Sequence, residues 1–292
     1  MSSCNTNSSC SSCSSSSSCD ASEQEKHTEE MLQKRLKEIR YRIMVMSGKG
    51  GVGKSTVTVN LAAALVQLGY KVGIIDADIH GPNIPKMLGV TDKGAKSGIN
   101  GIIPFEPFEN LSIMSIGTLL RDDDDAVIWR APLKHSVIQQ FLTDVDWGKL
   151  DFLLFDLPPG TGDEPLSVAH ILKDIDGSVI VTTPQEVALL DSRKSVNFSK
   201  KLNIPVLGIV ENMSGFVCPK CGEKIDIFKV GGGEKAAKEL KVPFLGKIPL
   251  DPEVVAQGDI GKPYVFEKPH SEATKAFLNV AKEVIRSVSE KK

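Results

Sequence analysis

Residues 48–56 read Gly-Lys-Gly-Gly-Val-Gly-Lys-Ser-Thr, with an apolar run before them and an amphipathic stretch after them. Few features constrain a fold as tightly. The stretch satisfies G-x-x-x-x-G-K-[ST], in which glycines between a strand and a helix let successive backbone N–H groups form a nest at the helix N-terminus and cradle phosphates. Such a loop is held by a strand–loop–helix unit, so the chain must build at least one. The phosphate-binding set is Gly48, Lys49, Gly50, Gly51, Val52, Gly53, Lys54, Ser55 and Thr56. Lys54 is placed to neutralise the β and γ phosphates and Ser55 to ligate Mg²⁺.

Short apolar runs and longer amphipathic stretches alternate along the rest of the chain. Strands are predicted at 42–46, 71–76, 111–116, 151–156, 178–182, 205–210 and 243–248, and helices at 54–68, 133–145, 165–173, 185–202, 234–241 and 271–288. Strands alternating with crossover helices specify an α/β fold, a mostly parallel sheet with helices on both faces. Upstream, Met31, Leu32, Leu36 and Ile39 recur at helical spacing and predict a helix ending near Tyr41. Residues 81–125, rich in Gly, Pro and Asp, read as a loop over the carboxyl ends of the strands, where such folds bind ligands. The expected organisation is a Cys/Ser-rich tail at 1–20, an amphipathic linker helix at 21–40 and the α/β domain at 41–292.

Composition narrows the function classes. Of the 292 residues 41% are hydrophobic, enough for a sizeable core, and 35 Lys+Arg against 37 Asp+Glu leave a net charge of −2. That balance gives no footprint for wrapping nucleic acid or coating an anionic membrane. Outside the polar Cys/Ser-rich tail the longest uncharged stretch, 55–70, is shorter than the ~18 apolar residues of a spanning helix, and the polar N-terminus is no signal peptide. The C-terminal helix carries Phe277, Val280, Ala281, Val284, Ile285 and Val288 on one face, with Glu283 and Glu290 among its lysines. It is expected to pack on the body rather than dock on a membrane, which would favour a predominantly basic polar face.

The six cysteines are lopsided. Cys4, Cys10, Cys13 and Cys19 lie among eleven serines in the first 20 residues, and Cys218 and Cys221 form a C-P-K-C pair. Clustering of this kind indicates metal or redox chemistry in a reducing compartment, not extracellular stapling. Two thiolates cannot complete a four-thiolate site, but two chains could. On spacing alone the pair suits a cluster bridging two chains, a zinc half-ribbon shared by two chains, or a thioredoxin-like redox couple. The tail thiols, spaced C-x₅-C-x₂-C-x₅-C, could hold a [4Fe–4S] cluster or Zn²⁺ without a partner chain, or be free thiols on a disordered tail.

The G-K-G-G-V-G-K-S-T loop resembles the deviant Walker A of the MinD/ParA/nitrogenase-iron-protein class of P-loop NTPases. In that class the early lysine, here Lys49, crosses a homodimer interface to the partner's nucleotide and acts as an arginine finger does. The resemblance also gives roles to three carboxylates at the ends of apolar runs. Asp78 would orient the attacking water, Asp76 would support the Mg²⁺ shell, and Asp156 would hold a Mg²⁺-bound water. Asn212 stands where the class places an amide to read adenine, and Pro249-Leu250-Asp251 resembles the segment that closes over the base. Guanine is disfavoured because the N-K-x-D signature is absent.

From about residue 40 onward the whole pattern resembles the Mrp/ApbC family of ATP-dependent iron–sulfur cluster carriers. The segments are the loop itself, D-A-D-I-H-G-P-N-I-P (76–85), V-I-W-R-A-P (127–132), F-D-L-P-P-G-T-G-D-E (155–164), V-E-N-M-S (210–214), C-P-K-C (218–221) and G-G-G-E-K (231–235). The resemblance implies a cytoplasmic homodimer with slow Mg²⁺-dependent ATP hydrolysis. It would bridge a [4Fe–4S] cluster between Cys218 and Cys221 of two chains and pass it to apo iron–sulfur proteins. The tail cysteines resemble the extra cluster motif of the eukaryotic cytosolic scaffold branch, with a shorter first spacing. The rival reading is a MinD/ParA-type positioning switch that binds membrane or DNA, and such switches need no cysteines.

Overall fold

The computed structural model describes residues 21–79, 81–91, 94–119, 131–218 and 220–290. Helix α1 (Ala21–Leu36) leads into β1 (Ile39–Ser47), and the phosphate loop then opens α2 (Lys54–Gln67). Next come β2 (Val72–Asp76), the short α3 (Ile84–Met87), a hairpin of β3 (Lys96–Ser97) and β4 (Ile102–Ile103), then β5 (Phe105–Phe108) and β6 (Leu111–Ser115). After α4 (Ala131–Thr143), the chain alternates β7 (Leu150–Asp156), α5 (Asp163–Leu172), β8 (Gly177–Thr182), α6 (Glu186–Lys201) and β9 (Val206–Glu211). A second hairpin, β10 (Phe216–Val217) and β11 (Lys224–Ile225), precedes α7 (Gly232–Leu240), β12 (Phe244–Lys247), α8 (Pro252–Asp259), α9 (Tyr264–Glu267) and α10 (Glu272–Ser289).

The main sheet runs β12-β9-β8-β1-β7-β2-β6-β5, parallel throughout except for β5, which pairs antiparallel with β6. Its strands are apolar runs because both faces are covered. In β1, Ile43 and Val45 join one core with Val57, Leu61 and Leu65 of α2 and Phe277, Val280 and Val284 of α10. Met44 and Met46, pointing the other way, join a second core with Leu32 of α1, Phe141 of α4, Val168 of α5, Val196 of α6 and Ala236 of α7. Parallel strands all finish at one margin of the sheet. The segments leaving β1, β2, β7 and β9 therefore converge there, with the phosphate loop in the middle.

Two expectations change. The helix expected to end near Tyr41 ends at Leu36, and Ile39 and Tyr41 already pair with Leu150 and Phe152 in the sheet. Ile39 fits both periods, three residues from Leu36 and two from Tyr41, and the open edge of β7 decides between them. The 81–125 insertion contains more than the strand anticipated at its end: α3, the β3–β4 hairpin and the edge strand β5 also form within it. As anticipated, α10 packs on the body, burying Phe277, Val280, Ala281, Val284 and Val288. Among the described residues no helix is long and apolar enough to cross a membrane.

Candidate nucleotide and thiol site

The phosphate loop is fixed at its start by the Ser47 hydroxyl, which donates to the Lys49 carbonyl at 3.0 Å, and by the Gly160 N–H, which donates to the Ser47 carbonyl at 2.8 Å. Gly53 occupies the N-cap of α2 at φ 77°, a conformation costly for residues with a side chain. It also has no room for one, since a Cβ there would lie 2.4 Å from Asn212 Nδ2. With no side chain at the cap, the first N–H groups of α2 and the positive end of its dipole are left to an anion.

Asp156, at the end of β7, gathers the polar side chains of α2. Lys54 Nζ and Ser55 Oγ each donate to its Oδ2 at 2.6 Å, and Thr58 Oγ1 donates to its Oδ1 at 2.6 Å. Asp76 is its register partner in β2, and both carboxyls are fully buried. Burial first, then the neighbouring Asp156 charge, push Asp76 up to about 8, against the help of a Ser115 hydroxyl donating at 2.9 Å. Asp78 is half-buried, and burial likewise raises its pKa. Two buried carboxyls and a hydroxyl beside a single lysine form a hard-oxygen set short of positive charge, which fits Mg²⁺.

Lys49, Lys54, Ser55, Thr56 and Asp78 share the lining of one cleft of about 390 Å³. Its outer wall is Met87 of α3 together with Val254, Val255, Gly258 and Asp259 of α8. Asn212 sits beside the loop and donates its amide to the Val52 carbonyl at 2.9 Å. Asp251 caps α8, accepting from Glu253 N–H at 2.9 Å and from the Tyr264 hydroxyl at 2.5 Å. After Pro249, the Leu250 N–H donates to the Gly215 carbonyl, which stitches this segment to the base of the β10–β11 hairpin. Asn212, Pro249 and Asp251 do not themselves line this cleft; α8, which Asp251 caps, supplies its wall residues.

Cys218 and Cys221 occupy the turn of that hairpin. The Cys218 N–H donates to the Glu223 carbonyl at 2.9 Å and the Gly222 N–H returns to the Cys218 carbonyl at 2.8 Å, with Gly222 at φ 74°. The backbone N–H groups of Cys221 and Lys220, and then the Cys221 side chain, lower the Cys218 pKa by stabilising its thiolate. Cys218 is half-buried, Cys221 is exposed, and both are free thiols. The tail residues Cys4, Cys10, Cys13 and Cys19 lie outside the described residues, as does most of the V-I-W-R-A-P segment.

Three contributors escaped the sequence reading. Thr58 was recoverable, lying one helical turn beyond Lys54 on the same face. Ser115 reaches Asp76 only because β6 lies next to β2. Glu211, at the end of β9, is fully buried and accepts from three donors.

A family model described as ParA, the NUBPL iron-transfer P-loop NTPases, matches residues 38–285. The chain belongs to this family. Within it, an iron-sulfur cluster carrier protein of Methanocaldococcus jannaschii is 54% identical over 261 residues, covering 89% of each chain. Another of the same description, from Methanococcus maripaludis, is 55% identical over 252 residues, covering 86% of this chain and 87% of that one. Among solved structures, a nucleotide-binding protein of Archaeoglobus fulgidus in complex with ADP is 40% identical with a TM-score of 0.74, covering 85% of this chain and 96% of the other. The cell-division ATPase MinD of Pyrococcus furiosus shares the fold at 30% identity and a TM-score of 0.63, covering 84% and 98%. As a P-loop NTPase of the ParA/NUBPL family, the chain has its nucleotide machinery inside the matched span, and the match starts beyond the four tail cysteines.

Proposed function

We propose that the chain is an ATP-dependent carrier of a [4Fe–4S] cluster, which two copies of the chain hold between their Cys218 and Cys221 pairs and hand to apo iron–sulfur proteins. The β10–β11 hairpin carries the reading. It presents two thiols at a turn with backbone N–H groups directed at one of them, and among the described residues no group of three or more His, Cys, Asp or Glu side chains is disposed to hold a metal. Two thiolates are half of a Cys₄ set, and a two-fold axis supplies the other half. The relatives described as iron-sulfur cluster carriers support the same cargo.

The surface around the thiols favours a second copy. Val187, Leu190 and Val230 line a groove of about 530 Å³, and Val217, Ile225 and Ile227 are exposed on the adjoining segment. Apolar surface of this kind, rimmed by charge, marks an interface. The phosphate loop borders it, since a Cβ on Gly48 would lie 2.1 Å from the backbone of Asp191 in α6. Lys49 is thereby brought to the edge of the same surface, in keeping with a lysine that serves the partner's nucleotide.

In the nucleotide cycle Lys54 exchanges the Asp156 carboxylate for phosphate, and the N–H groups opening α2 hold the phosphate oxygens. Ser55, Asp76 and Asp156 hold Mg²⁺, which supplies positive charge at the phosphates when bound. Asp78 orients the attacking water, and Asn212, Pro249 and Asp251 shape the base side. The four tail thiols hold a second, more stable cluster within one chain, and the chain works in the cytoplasm. Anaerobic reconstitution tests the cargo. With Cys4, Cys10, Cys13 and Cys19 replaced by Ser, about four iron and four sulfide per dimer are expected, and Cys218→Ser and Cys221→Ser should each abolish reactivation of an apo enzyme while ATP still binds. Zinc in place of iron, or normal transfer by both variants, refutes the reading.

A further inference from the structure

Glu211 ends β9, is fully buried, and has no part in the chemistry assigned to either site. Its Oε1 accepts from the Gly231 N–H at 2.9 Å and from the Ser214 hydroxyl at 2.5 Å, and its Oε2 accepts from the Gly233 N–H at 2.5 Å. Ser214 lies where the chain departs toward the thiol hairpin, and Gly231 and Gly233 lie where it returns. One carboxylate therefore clasps both ends of the excursion that carries Cys218 and Cys221. The glycine donors belong to the N-terminal turn of α7, so the same anion satisfies groups that a helix leaves unpaired. The approach depends on missing side chains, since a Cβ on Gly233 would lie 3.0 Å from the Glu211 Cβ.

The adjacent residue faces the other site. Asn212 donates its side-chain amide to the Val52 carbonyl inside the phosphate loop, and its backbone N–H donates to the Thr182 carbonyl at 2.8 Å. Beyond it, the Ser214 N–H donates to the Ile248 carbonyl at 2.9 Å. Two consecutive side chains thus hold the phosphate loop and the thiol excursion with no flexible residue between them. Apolar contacts could close a loop of this length, but they do not set direction. A carboxylate with three donors does, at the expense of burying a charge.

We infer that Glu211 is a positioning residue that makes the thiol hairpin follow the phosphate loop. The inference rests on reading both as working sites, and its test needs no cluster. Amide hydrogen exchange is measured by mass spectrometry on the full-length, cluster-free chain with and without MgADP. In the parent, nucleotide slows exchange at 48–56 and also at 213–230, the second by about fivefold or more, the usual lower range for coupled sites. Glu211→Gln offers an amide donor where an N–H needs an acceptor. It is expected to keep the response at 48–56 and reduce the response at 213–230 to under about twofold.

A purely local structural role predicts something different: exchange at 213–230 becomes faster by the same factor with and without MgADP, leaving the nucleotide response intact. That result overturns the inference, as does a parent whose hairpin ignores nucleotide. If Glu211→Gln fails to fold or to bind MgADP, Ser214→Ala decides. It removes one donor and keeps both glycine contacts, and an undiminished hairpin response in it is equally fatal. Failure of the chain to bind iron and sulfide would refute the carrier reading and leave this result standing.

Discussion

Asp76 ties stability to pH through its burial. In the folded chain its carboxyl keeps a proton up to about 8, whereas an unfolded aspartate releases it near 3.8. Between those values the native state holds the extra proton, so stability declines as pH rises from about 4 to 8 and is fully retained only below that window. Asp76→Asn removes the ionisation and is expected to flatten this decline, read as urea midpoints across the same range. A slope unchanged from the parent would show that other groups set it. Gly53 makes a second, purely steric demand. Gly53→Ala combines a side chain at φ 77° with a Cβ placed 2.4 Å from the Asn212 amide. The expected cost is about 1–3 kcal/mol of stability together with loss of calorimetric MgATP binding, because the Asn212–Val52 contact must open.

At the scale of elements, Leu32→Ala in α1 probes a helix that the sequence presents as a linker. Leu32 is 2% exposed and sits in the core shared with α4, so removing its side chain should cost about 2–5 kcal/mol in chemical denaturation. A loss near zero would make α1 an appendage. The difference shows what a sequence can and cannot convey. Seven strands were legible because covering both faces makes each an apolar run, and the acidic ends at Asp76 and Asp156 marked where those runs stop. The β10 and β11 strands have two residues each and no period to detect. The edge strand β5 contains Pro107 and alternates poorly. Ile39 satisfied two periods at once, and only its pairing with Leu150 chooses. Asp251 shows the same limit in a site: the sequence offers it as part of the segment over the base, and only the fold reveals that it also caps α8 by accepting from the Glu253 N–H.

For the whole molecule, the decisive variant is Lys49→Ala. If Lys49 serves the partner's nucleotide, the variant should bind MgATP within a few-fold of the parent, hydrolyse it at least about tenfold more slowly, and sediment with a smaller dimer fraction in ATP. Parent-like turnover and sedimentation would return Lys49 to its own subunit. The margins of the main sheet bear on how copies meet. One margin is the four-residue β5 with a proline inside it, and the other is the four-residue β12, interrupted by Gly246 at φ 146°. Neither is a long, flat row of unpaired backbone groups of the kind that recruits further strands. Growth by strand addition is therefore disfavoured at both margins of the main sheet. Should the chain empty itself of cargo as proposed, those two margins would still offer a neighbouring copy little on which to add a strand.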